Sequence, residues 1–241
     1  MSAVVERTIA KRPQLLAKIG DDLATEPFHV LMRKGTWRDH RRAESSDFEV
    51  ALVQGEVTPE AYADLLVQML PVYEILEERA LELKDHPHVK GLFDERLNRT
   101  EAIRADIEHF LGADWAEKST LLPLTQEYIE RIRTATPAQF AAHHYTRYLA
   151  DLSGGFDIHA GLAKGFGEAV KGLTYYNFDA LGDANTFKMQ YRMALSALDL
   201  TPDEKLETIE EVAIAYEFNI DIVAELAIKH NVKPTRDGAA H

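Results

Sequence analysis

Apolar residues recur every three or four positions along most of the chain, and strict alternation of apolar and polar residues is nearly absent. That spacing puts apolar side chains on one stripe of a helix, so the pattern predicts an all-α fold. The clearest helix starts at Thr136. Thr136 suits a cap, Pro137 the first turn, and Gln139 can return a hydrogen bond to the cap. Ala141, Tyr145, Tyr148, Leu149 and Leu152 then share a face. Gly154 and Gly155 interrupt this helix, and a further run covers roughly Ile158 to Val170.

The same reading divides the rest of the chain. Residues 1–26 are amphipathic and predict a short helix ending near Pro27, lying on the surface. Val30, Leu31, Lys34 and Trp37 mark a partial helical face within residues 28–45, with Gly35 weakening it. Thr58 and Pro59 open a helix through Tyr62, Leu65, Leu66, Met69, Leu70, Tyr73, Leu76 and Leu83, kinked at Pro71; its acidic run from Glu74 reads as a solvated face. Helices follow over Leu97 to Leu111, ending at Gly112, and over residues 119–133. Tyr175, Tyr176 and Phe178 fall in a loop, and another helix begins near Ala184 to Thr186. The last runs from Pro202 to about Lys229, with Thr201 as cap and Glu204 three residues on; residues 231–241 read as a flexible tail.

Two features invite chemistry. A glycine costs about 1 kcal/mol relative to alanine inside a helix, so a pair of them asks for a reason. One reason is a kink or loop between packed helices; another is close approach of bare backbone to a flat ligand. Asp151 and Arg147, one turn apart just before the pair, form either a surface ion pair or a carboxylate that organises water. The second feature is His40, with Thr36 four residues before it and Glu44 four after. All three can share a face, and a carboxylate so placed can fix the tautomer of an imidazole ligand. His29, His86, His88, His109, His143, His144 and His159 compete with it on spacing alone. His86 and His88 lack a third metal ligand at useful spacing.

Composition narrows the classes. The chain has 241 residues and a net charge of −13, a poor match to nucleic acid or to an anionic membrane surface. It has no cysteine, which excludes disulfides, thiolate nucleophiles, iron–sulfur clusters and thiolate-bound haem. No apolar run approaches the roughly 20 residues of a membrane span. The first twenty residues carry Glu6, Arg7, Lys11, Arg12 and Lys18 and resemble no secretory signal. A cytoplasmic protein is the expectation.

Arg147-Tyr-Leu-Ala-Asp-Leu-Ser-Gly-Gly155 closely resembles the distal-helix motif of the haem oxygenases, and His40-Arg-Arg-Ala43-Glu44 resembles their proximal histidine context. The resemblance spans roughly Phe28 to Leu226. It implies a single haem oxygenase-like helical domain over residues 28–230, with residues 1–27 as an N-terminal extension. It implies haem b as both cofactor and substrate, converted with O2 to biliverdin, ferrous iron and carbon monoxide. It implies His40 as iron ligand supported by Glu44, and Asp151, helped by Arg147 and Tyr145, as the group that handles protons through water. Ser153, Gly154 and Gly155 would lie on the haem, Arg33, Lys188 and Arg192 would reach its propionates, and Phe218-Asn219 would close the pocket. Regiochemistry would be α. The chain departs from the family pattern at Ala150, Phe156 and Trp37. Electrons would come from a ferredoxin or an NADPH-dependent reductase, with Arg33, Lys34, Arg38, Arg41 and Arg42 as a possible docking patch. A monomer is expected. A haem carrier or sensor, and a cofactor-free helical interaction domain, are the rival readings.

Overall fold

Three threonines start the long helices as their sequences predict. Thr58, Thr136 and Thr201 each accept a hydrogen bond from the backbone N–H three residues on. Gln139 and Glu204 return the bond, at 3.0 and 2.8 Å, completing capping boxes. The computed structural model describes residues 2–235. Their helices are α1 (Ala3–Ile9), α2 (Pro13–Asp22), α3 (Phe28–Glu44), α4 (Asp47–Gln54), α5 (Pro59–Leu83), α6 (Thr100–Leu111), α7 (Trp115–Lys118), α8 (Pro123–Thr134), α9 (Pro137–Phe166), α10 (Ala184–Ser196) and α11 (Pro202–Lys229), with short 3₁₀ turns between some of them. No strand occurs among the described residues, and no helix there is long and apolar enough to cross a membrane.

α5 and α11 are buried on several sides and α9 packs across them. The apolar residues of α5 run almost without gaps from Leu65 to Leu76, which suits a helix enclosed by others. Its acidic run is solvated only in part. Glu77 accepts from the backbone N–H groups of Arg99 and, at 2.8 Å, Thr100, and so caps α6 from a distance.

The glycine pair does not interrupt α9, contrary to the sequence reading. The helix continues for 30 residues through Gly154 and Gly155 and stops at Gly167, whose φ is 55°. Packing by neighbours supports this. A Cβ on Gly155 would stand 2.7 Å from the Tyr176 ring. A Cβ on Gly161 would stand 2.2 Å from the Leu52 carbonyl oxygen, and one on Gly165 would stand 2.4 Å from that of Gly55. α4 therefore ends directly against α9. Those contacts are backbone, which cannot swing away. Gly161→Ala should lower stability by about 1–3 kcal/mol through overpacking, or about 2–4 °C in Tm per kcal/mol for a chain of this size. Thermal unfolding followed by circular dichroism checks this; an unchanged Tm would contradict the packing.

The described part of this segment, residues 2–26, forms two helices rather than one, and it does not simply lie on the surface. Val4, Val5 and Ile19 are buried. Arg12 is buried, pairs with Asp39 and donates to the Gly35 carbonyl at 3.1 Å. Gly35 does not break α3 but lets Ile19 and Ile209 approach, since a Cβ there would meet them at 2.7 and 2.6 Å. At the other end, Gln54 Nε2 donates to the Thr235 carbonyl at 2.9 Å, and the Thr235 N–H to Glu56 at 2.7 Å. Residues 231–235 are thus tied to the α4–α5 turn rather than loose; residues 236–241 of the expected tail lie outside the described residues.

Candidate haem site

A cavity of about 430 Å³ lies between α3 and α9, with further wall from α4, α5, α10, α11 and the loop after α9. α3 supplies Arg33, Thr36, Trp37, His40, Ala43 and Glu44. α9 supplies Tyr145, Arg147, Leu149, Ala150, Asp151, Ser153, Gly154 and Ile158, among others. The two motifs singled out in the sequence, more than a hundred residues apart, therefore meet on one cavity.

On α3, the His40 ring lies between two aromatic groups. Trp37 stacks on it with centroids 5.8 Å apart, and Tyr216 meets it edge-on at 5.9 Å. Its Nδ1 is buried, without hydrogen-bond alignment, 3.4 Å from Glu44 Oε2. No protein hydrogen bond to Nε2 occurs among the described residues. The competing histidines lie elsewhere. His144 Nδ1 is 2.7 Å from the Tyr191 hydroxyl, and burial pushes its pKa down to about 3, so it is a neutral core residue. His143 is buried 3.0 Å from Glu211; burial opposes ionisation of that carboxyl, but two hydrogen bonds from Arg131 and the nearby His143 ring outweigh it and hold its pKa down to about 2.

On α9, Asp151 is buried, not a surface partner of Arg147. Tyr73 donates to its Oδ2, and Tyr175 to its Oδ1 at 3.2 Å; the two hydroxyls are 2.9 Å apart. Arg147 donates to Tyr73 at 3.3 Å, to Tyr175 at 3.4 Å and to Asn219 Oδ1 at 2.7 Å. Its Nη2 is 3.7 Å from Asp151 Oδ1, so two phenols bridge the cation and the carboxylate. Burial raises the Asp151 pKa against the opposing pull of Arg147 and the two hydroxyls. A carboxyl held up in this way exchanges protons nearer neutral pH than a solvated one does.

Several predicted residues are placed differently. Tyr145 is in the wall, but no hydrogen bond from it to Asp151 or Arg147 occurs among the described residues; Tyr73 and Tyr175 fill that part. Arg192 and Arg33 line the cavity and Lys188 does not, lying one turn earlier on α10. Phe218 is turned into the core, stacked on Tyr128 at 5.1 Å, while its neighbour Asn219 reaches the cavity. Gly155 packs on Tyr176 rather than on the cavity. Of the five basic residues of the docking patch, Lys34 is held by Asp22 and Glu26 and Arg42 by Glu217. Tyr175, Tyr176 and Glu49 are wall residues that the sequence reading did not single out, and neither did it single out Tyr73, which is buried behind Asp151.

These residues fit haem. The wall is apolar at Leu65, Met69, Leu149, Ala150 and Ile158, and cationic at Arg33 and Arg192. A Cβ on Gly154 would meet no atom within 4 Å, so its backbone lies bare toward open space. Gly154→Ala should therefore cost no stability and could add up to about 1 kcal/mol of helix propensity, yet weaken haem binding by crowding that space. A Tm that holds or rises together with weaker haem binding in an absorbance titration is the expected pair of results.

Comparison with known proteins agrees. The fold is similar to that of heme oxygenase-1 from the cyanobacterium Synechocystis in complex with heme, with a TM-score of 0.78 and 26% identity over 86% of this chain and 95% of that one. It is also similar to the heme oxygenase of Leptospira interrogans, with a TM-score of 0.75 and 30% identity over 83% of this chain and all of the other. A heme oxygenase of Takifugu rubripes is 34% identical over 212 residues, 86% of this chain and 76% of that protein. The family model described as "Heme oxygenase" matches residues 26–225, and the chain belongs to that family. It is an enzyme of haem degradation, whose family reaction yields biliverdin, iron and carbon monoxide.

Proposed function

We propose that this cavity binds haem b, with His40 as axial ligand and the Asp151 cluster as the proton-handling side. The observation that carries the reading is the shared cavity: His40 with an uncommitted Nε2 on α3, bare backbone at Gly154 and the bridged Asp151 on α9. Haem, when bound, supplies the iron at which dioxygen reacts and the macrocycle that is opened. The chain supplies the rest. Glu44 next to Nδ1 favours the tautomer with its proton on that nitrogen, leaving Nε2 to ligate and raising its basicity. Gly154 and Ser153 would let the macrocycle come close to the α9 backbone. Asp151, its oxygens held by Tyr73 and Tyr175, takes up and returns protons through cavity water. Arg147 keeps that cluster in place and is itself held by Asn219. Arg33 and Arg192 offer cations to the propionates, whose burial without partners would be costly; Lys188 can contribute only by reaching in from outside the wall.

The same proposal takes residues 28–230 as the catalytic domain, a monomer in the cytoplasm. Its electrons come from a ferredoxin or an NADPH-dependent reductase docked near Arg38 and Arg41, and cleavage is at the α position. Titration of hemin into the full chain tests the binding step. One equivalent should saturate a Soret spectrum typical of a histidine ligand, and failure to saturate would remove the reading.

A further inference from the structure

One turn of α3, from Gly35 to Asp39, lies directly before His40 and has two faces. Thr36 and Trp37 face the cavity, and Trp37 stacks on the His40 ring. Gly35 and Asp39 face away from it, toward α2 and α11. Arg12, which caps the start of α2, joins both ends of that turn. One guanidinium nitrogen donates to the Gly35 carbonyl at 3.1 Å and the other pairs with the Asp39 carboxylate; Arg12 and Asp39 are both buried. A glycine inside a helix weakens it locally, and this turn contains one. Ile19 of α2 and Ile209 of α11 fill the space that Gly35 leaves. The same segment also grips the second neighbour of the His40 ring. Arg7 of α1 reaches Asp221 at 2.5 Å and Glu217 at 3.5 Å on α11, and Glu217 also accepts from Arg42 of α3. Glu217 follows Tyr216, whose ring meets His40 edge-on. Arg7, Arg12 and Ile19 all precede residue 26, where the family match starts.

We propose that Arg12 is a positioning residue for His40: it clamps the Gly35–Asp39 turn to α2 and so fixes the direction in which α3 presents the imidazole to the cavity. The clamp is a property of the protein alone; its effect on iron ligation rests on the haem reading. Opening the turn must break two bonds to a guanidinium, and charge-assisted bonds are the strong ones. The planar fork of arginine holds its two acceptors in one arrangement, which a flexible ammonium would not do. Stability and positioning separate at this pair. A buried ion pair adds little net stability, because desolvation offsets the attraction, whereas losing one partner alone is costly. The catalytic domain therefore does not hold its proximal helix unaided. Residues before it complete the support behind His40.

The test compares the full chain as wild type, Arg12→Met and the double variant Arg12→Met with Asp39→Leu. Arg12→Met strands the buried Asp39 carboxylate and should lower Tm; the double variant removes both charges and should recover most of that loss. Positioning should not recover with it. Amide hydrogen exchange over residues 35–40, measured without haem, should be at least about tenfold faster than wild type in both variants, since bonds to a charged group are gone. With ferrous haem bound, the iron–histidine stretching band in resonance Raman should shift and broaden in both. A double variant with wild-type exchange, or with a wild-type band, would overturn the proposal and leave Arg12 as no more than the counter-ion of Asp39. A wild-type protein with no iron–histidine band would refute the haem reading instead, and the exchange rates would still decide whether the clamp exists.

Discussion

Asp151→Asn should bind haem nearly as well as the wild type and lose biliverdin formation by about 100-fold or more. General acid–base groups contribute about 10²–10⁴-fold, and Asn keeps the shape of Asp while losing its exchangeable proton. The fold should hold. Arg147 keeps its bonds to Tyr73, Tyr175 and Asn219 in the variant. The measurement pairs a Soret titration with biliverdin yield on the same preparation. Unchanged yield would show that protons reach the reacting centre by another route. Weak haem binding with proportionate loss of yield would make Asp151 a structural residue only.

His40→Ala should lose the histidine-type Soret spectrum and at least about 100-fold in activity. Removing a mere supporting partner of a metal ligand costs about 10–100-fold, so the ligand itself should cost no less. The stack on Trp37 and the edge contact with Tyr216 leave a ring-shaped space when His40 is truncated. Added imidazole should therefore enter that space and restore much of the spectrum. A variant whose spectrum matches the wild type would move the ligand elsewhere, although the other histidines named in the sequence do not line this cavity.

What could be read in the sequence was what local chemistry decides. The caps at Thr58, Thr136 and Thr201 act within three residues, so their partners are visible in the string. His40 and Asp151 were legible because each sits in a contiguous motif with a helical neighbour one turn away. The glycine pair was misread because its neighbours are distant: Tyr176 covers Gly155, and what lies opposite Gly154 is open space. The phenols on Asp151 come from 78 and 24 residues away, and in the string they read as an apolar helix face and an aromatic loop. Phe218 and Asn219 show the limit most simply. Adjacent residues on a helix point about 100° apart, so one enters the core while the next enters the cavity. Glu49 carried no signal at all, being one carboxylate of many on a short helix beside buried Phe48.

The most direct test of the account is single turnover. The full chain is loaded with one equivalent of hemin, reductant and air are added with catalase present, and the Soret band is followed with the red absorbance of biliverdin. Loss of the Soret band with biliverdin appearing in step is the predicted result. A reduced, oxygen-exposed complex that only returns to its oxidised form, with no biliverdin, would contradict it and leave a protein that binds haem without opening it.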